Sequence, residues 1–136
     1  LLARRDHSEQ ELCRKLIARG FDVDDVTEII AELKHEGLQS DHRFADSYTR
    51  LRISKGSGSV RIGQELRQRG VTDALIKQAM QEYEQEWSLK LEEVRGKKFG
   101  EEISASFKEQ ARQSRFLQYR GFPSEQIGEL FRTVDE

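Results

Sequence analysis

The sequence predicts an all-α fold, a tandem array of three-helix repeats forming an elongated, curved molecule. Three observations predict it. A Leu-x-x-Arg-Gly-apolar motif occurs three times, as Leu16 to Phe21, Leu66 to Val71 and Leu117 to Phe122, with its glycines 50 and 51 residues apart. Each copy is followed at identical offsets by an apolar ladder: Val26, Ile29, Ile30, Leu33; Ile76, Ala79, Met80, Tyr83; Ile127, Leu130, Phe131, Val134. No stretch alternates apolar and polar residues long enough for a strand. A period of this length marks a repeat architecture, in which small cores follow one another along the chain.

Each motif reads as a helix end followed by a second helix. Gly20, Gly70 and Gly121 supply the left-handed residue that stops a helix. The next residue, Phe21, Val71 or Phe122, is placed to pack back on Leu16, Leu66 or Leu117. Arg19, Arg69 and Arg120 complement the helix dipole, worth roughly 0.3–1 kcal/mol each. The ladders have the 3.6-residue period of an amphipathic helix.

Taken in order, Ser8 and Glu11 form a capping box for a helix that buries Leu12, Leu16 and Ile17 and runs to Arg19. A second helix starts near Asp24 and stops at Gly37, where Leu33 and Leu38 repeat the same device. Ser40 or Asp41 caps a third helix with Phe44, Ala45, Tyr48, Leu51 and Ile53, ended by Gly56-Ser57-Gly58. Ser59 opens the next helix, with Ile62 and Leu66 inward. Thr72 caps a long helix carrying Leu75, Ile76, Ala79, Met80, Tyr83 and Trp87, and Gly96 or Gly100 bounds the element after it. A helix through Phe107, Ala111, Phe116 and Leu117 leads to Gly121, and Ser124 opens the last. Repeat boundaries fall near 1–38, 39–90 and 91–136. Leu1 to Arg5 reads as the tail of a helix, so a further segment upstream is expected.

Composition narrows the function. Charged and apolar residues each make up 35% of 136 residues, and the net charge is −2. The chain is no polycation, so nucleic-acid contact requires a local patch. Cys13 is the sole cysteine, which excludes an intrachain disulfide. No apolar run approaches 18 residues and no signal peptide is present, giving the expectation of a soluble cytoplasmic protein with no membrane partner. One basic stretch stands out: Arg43, Arg50, Arg52, Lys55, Arg61, Arg67 and Arg69 face only Asp46 and Glu65 within the same span. It straddles the Gly-Ser-Gly joint and could track phosphates, or be a solvated helix surface.

Reactive groups do not converge. His7, His35 and His42 lack metal-ligand spacing and read as surface residues near helix ends. Cys13 reads as a partly buried small residue. Gly56-Ser57-Gly58 lacks the Lys-Ser/Thr of a phosphate loop. Tyr83 and Trp87, four apart, read as one helix face. No catalytic, metal or cofactor site is expected.

The residues also carry a family resemblance. Leu2-Ala3-Arg4-Arg5-Asp6-His7-Ser8-Glu9-Gln10-Glu11-Leu12 with Lys15-Leu16 resembles the opening signature of the RecX family of bacterial regulatory proteins. Gly37-Leu38 with Asp41, Arg43-Phe44-Ala45 and Tyr48 is similar to its next block. Gly58 with Arg61-Ile62, Glu65-Leu66 and Gly70-Val71 is similar to its central block, and Phe116-Leu117 with Arg120-Gly121-Phe122 to its last. Together the four span the chain in order. The resemblance implies a tandem array of three-helix repeats and a non-enzymatic regulator that binds the RecA recombinase filament on single-stranded DNA. It implies opposition to ATP hydrolysis, strand exchange and coprotease activity, hence a part in DNA repair and the SOS response. Direct single-stranded DNA contact, with Tyr48 and Tyr83 as stacking residues, is the alternative. A monomer is expected. One departure is Gln113, which stands where the other copies carry Leu12 and Ile62 and predicts looser packing in the third repeat.

Overall fold

The structure, a computed structural model, describes residues 5–135, with side chains described as far as residue 132. The expected helix tail at Leu1 to Arg4 and the Val134 rung lie outside the residues so described. Among the described residues there are eight helices and no strand: α1 (Glu9–Ala18), α2 (Val23–His35), α3 (Asp41–Ser54), α4 (Ser59–Gln68), α5 (Asp73–Glu82), α6 (Glu86–Phe99), α7 (Phe107–Tyr119) and α8 (Ser124–Asp135). The chain forms two compact units, Leu1–Arg50 with Glu65–Ala79, and Leu51–Gln64 with Met80–Glu136.

The helix ends obey the sequence chemistry. Ser8 and Glu11 close the capping box of α1, the Ser8 side chain accepting from the Glu11 N–H at 3.1 Å. Asp22 caps α2. Ser40, not Asp41, caps α3 by accepting from the Arg43 N–H. Asp41 instead accepts the Glu9 N–H at 2.8 Å, putting a carboxylate at the start of α1, where the dipole favours it. The three motif glycines lie at φ 95°, 83° and 101°, and the paired bonds of a Schellman turn are present in each. The N–H of Phe21, Val71 and Phe122 reaches the carbonyl of Leu16, Leu66 and Leu117 at 3.1 Å. The same pattern closes α2 at Gly37 and, unforeseen, α3 at Gly56, where Ser57 N–H donates to Arg52.

In the first unit, Leu12, Val26 and Ile30 are buried together, with Cys13, Leu16 and Leu33 packed against them. In the second, Leu91, Val94, Leu117, Phe122, Ile127 and Phe131 form one cluster. Of the ladders, Val26, Ile30, Ile76, Ala79, Ile127 and Phe131 are buried, whereas Ile17 stays 49% exposed, Phe21 45%, Leu51 52% and Phe107 87%.

Two expectations are corrected. The long helix after Thr72 is two helices, broken at Tyr83 to Gln85 by tight turns, Glu84 N–H to Gln81 and Glu86 N–H to Tyr83. Tyr83 and Trp87 thus do not share a helix face. The Trp87 indole N–H donates to the Met80 carbonyl at 3.1 Å, satisfying a carbonyl the break sets free. His7 is not on the surface: it is 3% exposed. Its Nδ1 lies 3.1 Å from the Arg5 carbonyl and its Nε2 3.0 Å from the Lys15 ammonium. Lys15 can only donate, so Nε2 accepts, Nδ1 carries the proton, and His7 is neutral. Burial, with the charges of Arg5 and Lys15, pushes its pKa below 6.5.

Candidate interaction surface

The basic residues singled out by the sequence divide between the two units. Arg43, Arg50, Arg67 and Arg69 lie in the first, and Arg52, Lys55 and Arg61 in the second. The four in the first unit meet carboxylates: Arg43 with Asp6 at 2.8 Å, Arg50 with Asp46 at 3.0 Å, Arg67 with Asp73 at 3.1 Å and Arg69 with Glu11 at 3.7 Å. Arg69 also lies over the Tyr48 ring, 4.8 Å from its centroid. Glu11 holds its charge in spite of burial. Desolvation raises its pKa, but the Arg5 guanidinium and the Ser8 N–H outweigh it and lower the pKa.

The repeated arginine-glycine turns are docking elements as well as helix stops. In the first unit, the Arg69 carbonyl accepts the Ser8 hydroxyl at 2.8 Å, and Gly70 sits against Gln10. In the second, the Arg120 carbonyl accepts the Gly58 N–H and the Gly121 carbonyl accepts the Val60 N–H, both at 2.9 Å. Ser8 and Gly58 are equivalent, each 12 residues before a motif glycine. The turn after α4 therefore grips the start of α1 as the turn after α7 grips the start of α4. Gly58 and Gly121 pack backbone to backbone, and a Cβ on either has no room. The Arg120 side chain donates to the Lys55 and Gly56 carbonyls at 3.0 and 3.3 Å. This arginine therefore serves the C-terminus of α3, a role that dipole reasoning about its own helix does not reveal.

Between the end of α3, α6 and α7, all within the second unit, is a cavity of about 280 Å³. Lys55, Lys90, Lys97, Lys98 and Arg120 line it, with Glu93 the one carboxylate, 3.2 Å from Lys90. Phe116 also lines it, with the Lys98 ammonium 5.4 Å and the Arg120 guanidinium 5.8 Å from its ring centroid. Of the predicted basic residues only Lys55 is part of this cavity. The other cations come from α6 and α7, where nearby glutamates mask them in a linear charge count.

A buried polar pair was also missed. Arg95, 3% exposed, donates to Gln113 Oε1 at 3.4 Å and to the carbonyls of Gly100 and Glu101. Gln113 is thus the acceptor for a buried cation and not a packing defect. Its amide also donates to Glu109, whose carboxyl Arg112 holds down at about 2. Among the described residues, no group of three His, Cys, Asp or Glu side chains could hold a metal ion, and no helix is long and apolar enough to cross a membrane.

Comparison with known proteins gives a consistent result. Three family models match in order: the first three-helix domain of RecX over residues 1–33, the second over 40–80 and the third over 90–131. A protein named Regulatory protein RecX from Halorhodospira halophila is 42% identical over 136 residues, covering 100% of this chain and 84% of its own. The one from Pseudomonas syringae pv. tomato is 42% identical over 96% of this chain and 84% of its own. A Legionella pneumophila relative of the same name is 38% identical over 98% and 89%. The crystal structure of RecX from Lactobacillus salivarius superposes with a TM-score of 0.83 at 21% identity, covering 98% of this chain and 89% of that one. A second RecX crystal structure gives a TM-score of 0.80 at 23% identity, covering 99% and 66%. The helical repeats are thus shared with solved RecX folds, and by whole-length identity the chain belongs to the RecX family.

Proposed function

We propose that this chain is a non-enzymatic regulator that binds the RecA filament on single-stranded DNA and inhibits its ATPase, recombinase and coprotease activities. It would act as a cytoplasmic monomer of three repeats, near 1–38, 39–90 and 91–136, in DNA repair and the SOS response. The observation that carries the reading is the 42% identity, along the full chain, to proteins named Regulatory protein RecX. Arg43, Arg50, Arg52, Lys55, Arg61, Arg67 and Arg69 are the proposed filament contacts. The ion pairs of Arg43, Arg50 and Arg67 are on exposed or half-exposed side chains, which exchange partners at little cost.

The test is RecA ATP hydrolysis on single-stranded DNA, titrated with the chain. Inhibition well below one copy per RecA indicates action on filament assembly or ends, and stoichiometric inhibition indicates filling of the filament groove. Unchanged hydrolysis at molar excess sinks the proposal. Reversing Arg50, Arg52 and Arg67 to Glu should weaken inhibition with helicity intact.

A second reading, direct binding of single-stranded DNA through a local basic surface, is favoured by the cluster of cations around Phe116.

A further inference from the structure

Among the described residues, the cavity between α6, α7 and the end of α3 gathers positive charge that carboxylates do not offset. It has five cations against Glu93. Lys90 takes that one partner, and its side chain is only 15% exposed. Arg120 is held by backbone carbonyls. Lys55 and Lys97 are exposed and have no ion pair among the described residues, and Lys98 meets only the Phe116 ring. Cations gathered in a concave site repel one another, and an anion there relieves the repulsion. The lining includes an aromatic ring: Phe116 meets Phe99 edge-on at 5.4 Å. One turn further along α7, Tyr119 is 77% exposed, and residues three apart on a helix are neighbours. Arg61 lies 5.7 Å from its ring centroid. A phosphate cradle beside an exposed aromatic ring is the combination that holds single strands, with phosphates on cations and a base on the ring.

We propose that this cavity binds a phosphate group of a single-stranded nucleic acid, with Lys55, Lys97 and Lys98 as its mobile cations, Arg120 as its fixed one, and Tyr119 stacking the adjacent base. The proposal rests on the second reading above, direct strand contact. It moves most of that contact from the α3–α4 stretch to α6 and the end of α7, with Lys55 retained from the stretch. The shared chemistry is a phosphate oxyanion, which a free polyphosphate also presents. The exposed Tyr119 favours the strand, because a polyphosphate has nothing to stack.

The test is anisotropy of a fluorescently labelled oligo-dT titrated with the full chain, without RecA, across a range of salt concentrations. The Lys55→Gln, Lys97→Gln, Lys98→Gln triple variant should bind at least tenfold more weakly. Its log–log salt slope should be shallower by about 0.7, for the one phosphate the cavity neutralises. Tyr119→Ala should weaken binding about tenfold with the slope unchanged, because stacking releases no counterion. Lys34→Gln, at an exposed ion pair with Glu9 in the first unit, should leave both quantities as in the parent chain. A triple variant with parental affinity and slope overturns the site. Parental binding after Tyr119→Ala, with inorganic tripolyphosphate displacing the oligonucleotide at matched ionic strength and equimolar concentration, overturns the strand in favour of free polyphosphate. RecA ATP hydrolysis is measured on Tyr119→Ala and on a Lys97→Gln, Lys98→Gln double variant, which spare the proposed filament contact Lys55. Inhibition retained by a variant of these that has lost strand binding separates the cavity from the filament contacts, so the failure of either leaves the other legible.

Discussion

Replacing Gly58 by alanine should destabilise this chain more than replacing a glycine of strongly positive φ. Gly58 is not in a left-handed conformation, so alanine meets no torsional penalty there. Its Cβ, however, would lie 2.4 Å from the Gly121 carbonyl carbon and the Phe122 nitrogen, and 2.5 Å from the Gly121 oxygen. All three are backbone atoms, so no rotamer relieves the clash. Contact between carbons is comfortable at ~3.5–4.0 Å, so the turn after α7 must retreat by about 1 Å. That retreat stretches two bonds, Gly58 N–H to Arg120 and Val60 N–H to Gly121. At ~0.5–1.5 kcal/mol each they contribute about 1–3 kcal/mol. Overpacking adds ~1–3 kcal/mol, because Phe122 is part of the buried cluster of the unit. The expected loss is about 2–6 kcal/mol. Gly20→Ala is the control. Gly20 has φ 95° but nothing within 4 Å of the added Cβ, so only the left-handed cost of ~1–2 kcal/mol applies. Urea unfolding followed by far-UV circular dichroism gives both values. A Gly58→Ala loss smaller than that of Gly20→Ala would refute the docking role assigned to the repeated turn.

Acid should destabilise the chain through His7. Its folded pKa lies below 6.5, so the unfolded chain binds the proton more readily; the stability is fully present above pH 6.5 and is lost as pH falls from there through the folded value. The urea midpoint should drop over this window before the lowered pKa of Glu11 comes into play below 4.5, and His7→Gln should flatten the dependence. An equally steep profile in His7→Gln would assign the acid sensitivity elsewhere. Gln113→Leu restores the apolar residue of the repeat pattern, yet it should destabilise by about 1–3 kcal/mol, because it removes an acceptor from the buried Arg95 guanidinium. Adding Arg95→Met should recover most of the loss. Gain of stability in Gln113→Leu alone would show that the Gly100 and Glu101 carbonyls satisfy Arg95 unaided.

Much of the fold was legible because each helix end here is a local device. Gly37, Gly70 and Gly121 stop helices through the φ that only glycine adopts cheaply, and Ser8, Thr72 and Ser124 stand where the next helices begin. The break between α5 and α6 was not legible because nothing local makes it. Residues 81–85 are Gln, Glu, Tyr, Glu and Gln, all compatible with a continuous helix, and the Trp87 indole bond to Met80 appears only once the chain has turned. Tertiary contacts also decide the sides: Leu51 and Phe107 fit an apolar pattern yet face solvent, while Ile53 is 8% exposed.

The interaction surface was less legible for the same reason. A linear count of charge finds Arg43 to Arg69, because no acidic run interrupts it. It overlooks Lys90, Lys97, Lys98 and Arg120, which are diluted by Glu92, Glu93, Glu101 and Glu102 in sequence and gathered only when α6 and α7 pack together. The repeat allows the proposed site to be built in one copy independently of the others. Gly20, Gly70 and Gly121 share the backbone turn, so the fold constrains them alike. The side chains around them are free to differ: Arg69 lies over Tyr48 and near Glu11, whereas Arg120 reaches the carbonyls that end α3 and borders the lysines of α6. The turn conserves architecture between copies, and the surroundings of its arginine set each copy's chemistry. The strand-binding cavity proposed above lies beside Arg120, where equivalent arginines of the array have different neighbours.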